Sequence, residues 1–105
     1  MTKSQPFPRL FSPLQIGPVL VRNRVLVSAH VPRLAIDNIP GERYAAYHGA
    51  RARGGVGLQI TGATPVHITS GRSAANALEN MDDRIVPGYR LLSETVHSEG
   101  GRILA

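Results

Sequence analysis

Short apolar runs interrupted by turn residues open the chain and predict β-structure. Apolar residues on both sides of Gly17 and Pro18 predict a β-hairpin over residues 14–21, because glycine followed by proline is typical of a tight turn between two short strands. A further apolar run at Val25–Val27 predicts a separate strand. The first part of the chain is therefore predicted to hold a hairpin and one more strand.

A helix and a strand then alternate along the chain. Residues 40–55 begin with Pro-Gly, carry an acidic residue in the first turn and end in Gly-Gly, which predicts a helix, and Gly49 within it predicts a close contact with a neighbouring strand. The run VGLQITG follows as a strand. The same signals recur about 47 residues later, and RILA begins another strand. This order predicts a parallel sheet packed against helices, which is an α/β fold.

The predicted parallel sheet has few strands, and its last strand begins only at RILA. A parallel sheet with an open edge and an uncovered face is unfavourable, because its apolar residues contact water. We therefore expect residues 1–105 to be the beginning of a larger domain, incomplete in this chain. In a (β/α)8 barrel built from such units, the hairpin would close the N-terminal end. The uncovered inward face would carry Val25, Val27, Leu58 and Ile60 or their neighbours.

Composition narrows the classes of function. The chain has no cysteine, which excludes thiolate metal sites and cysteine nucleophiles within these residues, and its four histidines lack metal-ligand spacing. The net charge is +5, but the cations are spread out and not interleaved with aromatic residues, so nucleic-acid binding is not expected. Because no segment is typical of a membrane span or a signal peptide, we expect a cytoplasmic protein with no membrane partner.

Three segments together resemble the N-terminal part of the Old Yellow Enzyme family of FMN-dependent NAD(P)H oxidoreductases. They are LFSPLQIGPVLVRNRVLVSAH, ERYAAYHGARARGGVGLQITGATPV and DDRIVPGYRLLSETVHSEGGRILA, and they cover nearly all of residues 10–105. The ordered combination is specific, whereas no single piece is. The resemblance implies that residues 1–105 are the N-terminal part of a single FMN-binding TIM-barrel domain, namely its hairpin followed by the first strand–helix units.

The resemblance also implies a cofactor-binding site at the ends of the first two barrel strands. The residues so implied are Ser28, Ala29, His30, Gly62, Ala63 and Thr64. Small side chains at these positions would let the flat isoalloxazine ring approach the backbone. The alternative is that Gly62 and Ala63 merely begin a loop. No metal ligand is expected, and the catalytic residues of the family would lie beyond Ala105.

The four histidines divide into two pairs. His30 and His67 are both expected on the rim of the implied site, where each either meets flavin or substrate or is simply a solvated or hydrogen-bonded loop residue. His48 and His97 lie in predicted helices and are expected to be surface or packing residues.

The function implied by the resemblance is an FMN-dependent oxidoreductase that uses NAD(P)H to reduce an activated C=C bond of a small molecule, with homo-oligomer formation left open. The strand ending Ser-Ala-His is closer to the branch of trimethylamine dehydrogenase and dienoyl-CoA reductases. An oxidative amine demethylase or dehydrogenase is therefore an alternative, and a long member of that branch would add a 4Fe-4S cluster and FAD. A third interpretation is a non-catalytic fragment, and these residues alone are expected to be inactive.

Overall fold

The computed structural model describes residues 4–71 and 75–105. After an initial hairpin, strands and helices alternate as the sequence predicts. In chain order the elements are β1 (Leu14–Ile16), β2 (Val19–Val21), β3 (Leu26–Val27), α1 (Glu42–Arg53), β4 (Leu58–Ile60), α2 (Val86–Ser98) and β5 (Arg102–Leu104), with 3-10 turns at Ile68–Ser70 and Asp83–Ile85.

The strands β1 and β2 form the predicted antiparallel hairpin. Leu14 pairs with Val21 and Ile16 pairs with Val19, which places the turn at Gly17 and its following proline. The φ of Gly17 is 53°, in the left-handed region that glycine adopts without steric cost. The predicted hairpin over residues 14–21 is therefore confirmed.

The strands β3, β4 and β5 form a parallel sheet in that order, as predicted. Val27 pairs with Gln59, and Gln59 pairs with Ile103, so these three residues share one face of the sheet. This face is covered by the helices, because the Gln59 side chain is completely buried and hydrogen-bonds to His48 of α1. Of Val27 and its neighbours, one of which was predicted on the uncovered face, Leu26 and not Val27 lies there, because Leu26 pairs with Leu58.

The opposite face of the parallel sheet is mainly apolar and is not covered by the helices; the hairpin reaches only its lower part, where Val21 lines a cavity together with Leu58. Leu26 is 51% exposed and Leu104 is 53% exposed. Leu58 and Ile60 alternate with Gln59 along β4 and lie on this same face, as predicted. The sheet therefore has one face against the helices and one mainly apolar face that the helices leave uncovered.

The two helices pack against each other as well as against the sheet. A Cβ atom on Gly49 of α1 would lie 2.8 Å from Thr95 Cγ2 of α2, so the close contact predicted for this glycine exists but is made with a helix and not with a strand.

No helix among residues 4–71 and 75–105 is long and apolar enough to cross a membrane. The buried core residues around these helices are Ala35, Tyr44, Ala52, Leu78, Ile85, Leu92 and Val96.

The hairpin lies at the edge of the parallel sheet where the strands begin. Arg22, directly after β2, donates from Nη1 to the Glu99 carbonyl at 2.6 Å and from Nη2 to the Val56 carbonyl at 3.0 Å. These carbonyls follow the C-terminal ends of α2 and α1, where a cation is favoured by the helix dipole. Arg102, the first residue of β5, donates to the Leu20 carbonyl at 3.4 Å. The opposite edge, where the strands end, is left free of the hairpin.

Candidate functional site

The two predicted groups of site residues follow β3 and β4, whose C-terminal ends are neighbours in the sheet. The contact between the groups is direct, because a Cβ atom on Gly62 would lie 2.6 Å from the His30 carbonyl oxygen and 2.9 Å from the Cα of Val31. Real Cβ atoms are essentially never found so close to other atoms. Glycine at this position therefore allows the two strand-end segments to touch, and the structure brings the predicted residues together.

The space beside Gly62 is taken up by the chain itself. Gly62 is buried, whereas Ser28, Ala29 and Ala63 are exposed. We call these three exposed residues the small-residue patch. The close approach of the His30 backbone gives Gly62 a structural reason within this chain, and contact between Gly62 and a cofactor stays a prediction.

Thr64 is half-buried and tied to its surroundings by its hydroxyl group. Thr64 Oγ1 donates to the Gly62 carbonyl at 2.8 Å. The Thr64 side chain also lies near the hydroxyl of Tyr89 in α2 and acts to lower the pKa of that tyrosine, but burial prevails and raises it. Thr64 thus fixes the turn after β4 and links it to α2.

His30 uses both of its ring nitrogens within the chain. Nδ1 lies 3.1 Å from the Ser28 carbonyl oxygen, and Nε2 lies 2.5 Å from the Tyr47 hydroxyl. Because a carbonyl oxygen only accepts, the hydrogen of the neutral ring is assigned to Nδ1, and Nε2 accepts from Tyr47. The imidazole is thereby turned towards α1, so the structure favours a hydrogen-bonded role for this histidine.

Tyr47 is itself held by Arg51, one helical turn further along α1. The guanidinium carbon of Arg51 lies 3.5 Å from the centre of the Tyr47 ring, and Nη1 donates to the Tyr47 carbonyl at 3.0 Å. A cation over an aromatic face is attracted by the ring quadrupole. The position of the Tyr47 ring is therefore stabilised by a neighbour on its own helix.

His48 is a packing residue that joins α1 to β4. Its Nδ1 donates to Gln59 Oε1 at 2.8 Å, and Gln59 Nε2 donates back to the His48 carbonyl at 2.9 Å. Both side chains are completely buried. Burial lowers the pKa of His48 by penalising the charged ring, and the hydrogen bond to Gln59 opposes this only in part. This pair fixes the strand from which Gly62 extends.

All three tyrosines of the chain direct their hydroxyls towards the strand-end segments. Tyr47 reaches His30, and Tyr89 reaches Thr64. The Tyr44 hydroxyl is buried without a well-formed hydrogen bond among the described residues; the Gly62 backbone acts on it and lowers its pKa, but burial prevails and raises it. None of these tyrosines was predicted as a site residue, although the spacing YAAY places two of them on one helix face.

The other two histidines lie in the loop after β4 and at the end of α2, and the position of His67 on the rim of the site stays a prediction. His67 precedes the 3-10 turn at Ile68–Ser70, and its Nδ1 accepts from the backbone N–H of Thr69 at 3.3 Å. Its partners belong to its own exposed loop. His97 is exposed in the last turn of α2, at the edge where the strands begin. Among residues 4–71 and 75–105, no three side chains suited to bind a metal ion come together.

Comparison with known proteins identifies the family. The model of the NADH:flavin oxidoreductase / NADH oxidase family matches residues 9–105. The chain belongs to this family. The resemblance found in the sequence is therefore confirmed, and it covers nearly the same residues.

Two curated relatives match most of this chain. The N,N-dimethylglycine/sarcosine dehydrogenase of Chromohalobacter salexigens is 39% identical over 100 residues, which are 93% of this chain and 14% of the relative. The NADH oxidase of Thermoanaerobacter brockii is 40% identical over 98 residues, which are 92% of this chain and 15% of the relative. The chain thus spans about a seventh of the length of these relatives.

A solved structure has the same fold over this region. The Old Yellow Enzyme homologue from Zymomonas mobilis superposes with a TM-score of 0.80 at 29% sequence identity, covering 93% of this chain and 27% of that protein. The mixed α/β arrangement of hairpin, parallel sheet and helices is therefore one that occurs in an Old Yellow Enzyme homologue.

Proposed function

We propose that the whole protein is an FMN-dependent oxidoreductase, and that residues 1–105 form the hairpin and the first strand–helix units of its single TIM-barrel domain. The observation that carries this proposal is the small-residue patch of Ser28, Ala29 and Ala63 at the C-terminal edge of the parallel sheet, in a chain of this family. Active sites of such barrels lie at that edge.

The residues at this edge fit a flat ring system. The small-residue patch carries few atoms beyond the backbone, and the contact of Gly62 with the His30 carbonyl holds the two segments together. The polar groups of His30 and Thr64 already hydrogen-bond within the chain. These six residues therefore suit the flavin ring and not the phosphate of FMN, which barrels usually bind at their last strands. Bound FMN supplies hydride transfer, and the protein supplies orientation.

The first candidate reaction is the reduction of an activated C=C bond of a small molecule with NAD(P)H as the source of hydride. The family description and the name of the Thermoanaerobacter brockii relative support NADH as the reductant. In this reaction the residues of the two strand ends hold the ring of the cofactor, while residues outside this sequence bind the substrate and supply its proton.

The second candidate reaction is the oxidation of a C–H bond next to an amine nitrogen. It is favoured by the similarity to the N,N-dimethylglycine/sarcosine dehydrogenase at 39% identity. Under this candidate we propose a long protein, in which a 4Fe-4S cluster and FAD are bound by residues outside this sequence. The two candidates use the same strand-end residues and differ in the substrate.

The experiment uses the full-length protein purified from its natural gene. We expect visible flavin absorption that is extracted as FMN, or that appears after reconstitution with FMN. Under anaerobic conditions, NADH or NADPH followed by an α,β-unsaturated ketone tests the first candidate, and N,N-dimethylglycine as the sole reductant tests the second. A protein that takes up no FMN contradicts the proposal. A natural chain of 11.3 kDa without flavin would favour the non-catalytic fragment.

A further inference from the structure

We propose that Tyr47 is a positioning residue for the cofactor face: its hydroxyl holds the His30 ring as the Nδ1–H tautomer, turned away from the cofactor, and so fixes the segment Ser28–His30 against Gly62. The inference rests on the proposed function for the location of the cofactor. It assigns a role to Tyr47, which lies on α1 and outside the two strand-end segments.

The hydrogen-bond partners of its two nitrogens determine the state of the His30 ring. The Ser28 carbonyl, 3.1 Å from Nδ1, cannot donate a hydrogen bond, so Nδ1 must carry a hydrogen for this contact to be favourable. Nε2 of the neutral ring is then an acceptor, and the Tyr47 hydroxyl at 2.5 Å is its donor. The two partners therefore select one tautomer of the neutral imidazole.

Two neighbouring side chains hold the Tyr47 ring in place. Arg51 lies over its ring at 3.5 Å, and the ring of His48 meets it edge-on with centroids 5.2 Å apart. His48 is held in turn by two hydrogen bonds with Gln59 of β4. The Tyr47 ring is thus held by two neighbours on α1, one of which, His48, is itself bonded to the sheet, and its hydroxyl is a well-positioned donor.

The hydrogen bonds at both ring nitrogens limit what the His30 side chain can offer to a ligand. With both nitrogens engaged, the ring has no N–H to offer to a cofactor or a substrate unless the bond from Nδ1 to the Ser28 carbonyl breaks. Its backbone carbonyl, however, is the group that approaches Gly62 within the space of a missing Cβ. His30 therefore acts on the cofactor face through the placement of its backbone, and Tyr47 acts through His30.

The test uses the full-length protein and the substitution Tyr47→Phe, which removes only the hydroxyl. Nitrogen-15 NMR of the histidine side chains without FMN should give the Nδ1–H tautomer for His30 in the wild type and a mixture of tautomers in the variant. The FMN dissociation constant should rise about three- to tenfold, the usual effect of one lost hydrogen bond. The matched control is Tyr89→Phe, which removes a hydroxyl near Thr64 and should leave the His30 signals unchanged.

A second pair of variants keeps the proposal testable if Tyr47→Phe folds poorly. His30→Gln offers Tyr47 a carbonyl acceptor in place of Nε2 and should retain FMN affinity within about threefold, whereas His30→Ala should lose about tenfold. Equal affinity of His30→Ala and the wild type would overturn the proposal.

The remaining outcomes separate this inference from the proposed function. An Nε2–H tautomer in the wild type, or unchanged His30 signals in Tyr47→Phe, would overturn the tautomer assignment. A changed tautomer with unchanged FMN affinity would overturn the link to the cofactor face. If the wild-type protein takes up no FMN, the proposed function and that link both fail, while the tautomer comparison is decided without FMN.

Discussion

The two edges of the parallel sheet are built differently, although each brings a glycine against a neighbouring group. Where the strands begin, a Cβ atom on Gly100 would lie 2.6 Å from Nη1 of Arg22, whose guanidinium bridges carbonyls at the ends of both helices. Where the strands end, Gly62 meets the backbone carbonyl of His30, and the small-residue patch is exposed. A cation closes the first edge, and small side chains leave the second edge open.

The difference between the edges indicates that the edge where the strands begin contributes to stability and the edge where they end contributes to binding. The last carbonyls of a helix lack partners within the helix, and the Arg22 guanidinium satisfies such groups with charge-assisted hydrogen bonds. At the other edge, the polar groups of the strand ends bond locally and leave the small-residue patch accessible. Residues at the N-terminal face of α/β barrels serve stability, whereas those at the C-terminal face serve function. Substitutions at the two edges should therefore affect different measurements.

The largest effect is expected from Arg22→Met. The substitution removes hydrogen bonds to carbonyls after α1 and α2 and leaves these groups unpaired, so the free energy of unfolding should fall by about 2 to 4 kcal/mol. The FMN affinity of the folded protein should stay within about twofold. The measurements are denaturant unfolding and an FMN titration of the full-length protein.

The matched control for Arg22→Met is Arg24→Met, two residues away. Arg24 is exposed, and within the described part of the chain its side chain bonds only to the Ser12 hydroxyl, at 3.2 Å. Its replacement should change the free energy of unfolding by no more than about 0.5 kcal/mol. If the two variants were equally stable, the guanidinium bridge would not be what closes this edge.

A smaller effect on both properties is expected from Gly62→Ala. Its Cβ would lie 2.6 Å from the His30 carbonyl oxygen, and backbone cannot yield as a flexible side chain can. The free energy of unfolding should fall by about 1 to 3 kcal/mol, and FMN affinity should fall as the two segments separate. Gly54→Ala is the control, because its Cβ would meet the Arg51 carbonyl at 3.4 Å, an ordinary contact. Unchanged stability of Gly62→Ala would mean that the close approach is not required.

Ala63→Leu should affect binding and leave stability nearly unchanged. Ala63 is exposed, so a larger side chain meets no packed core, but it would project into the space proposed for the flavin ring. We expect FMN affinity to fall about tenfold or more and the free energy of unfolding to change by no more than about 0.5 kcal/mol. Ala46→Leu, at an exposed position of α1, provides the same change away from the site. Early melting with normal affinity would identify Ala63 as a packing residue.

The fold was predictable where the signals are local. Gly17 and its proline mark the hairpin turn, and the Pro-Gly and Gly-Gly pairs mark both helices, because the backbone conformations concerned depend on neighbouring residues alone. The prediction that Gly49 contacts a strand was wrong, because a glycine in a helix indicates a close contact without indicating which element makes it. The sequence also did not indicate whether Val27 or its neighbour Leu26 lies on the uncovered face. In so short a strand, only the pairing of Val27 with Gln59 decides which residue faces the helices.

The sequence predicted which strand ends form the candidate site, but it did not predict the side-chain hydrogen bonds that connect them to the helices. The resemblance and the strand order together placed His30 beside Gly62. The sequence could not reveal that Tyr47 reaches His30 or that Gln59 pairs with His48, because these contacts depend on the angle at which α1 crosses the sheet. A tyrosine in a helix is typical of a core because its ring is apolar. The partner of its hydroxyl group becomes known only from the packed structure.

The smallest effect that we expect is a pH dependence of the free energy of unfolding, caused by a buried histidine between the two edges of the sheet. His48 is buried, its Nε2 has no hydrogen-bond partner among the described residues, and burial lowers its pKa below the ordinary value of 6.5. As the pH falls below about 6.5, His48 binds a proton in the unfolded chain but stays neutral in the folded chain. The stability that neutral His48 contributes is therefore present above that pH and is lost as the pH falls towards the pKa of the folded state. The slope should stay below about 1.4 kcal/mol per pH unit, the limit for one proton. Denaturant unfolding between about pH 7 and 5 measures it, and His48→Gln should flatten the slope whereas His97→Gln, at an exposed position, should not. A slope that persists unchanged in His48→Gln would place the proton uptake on another group.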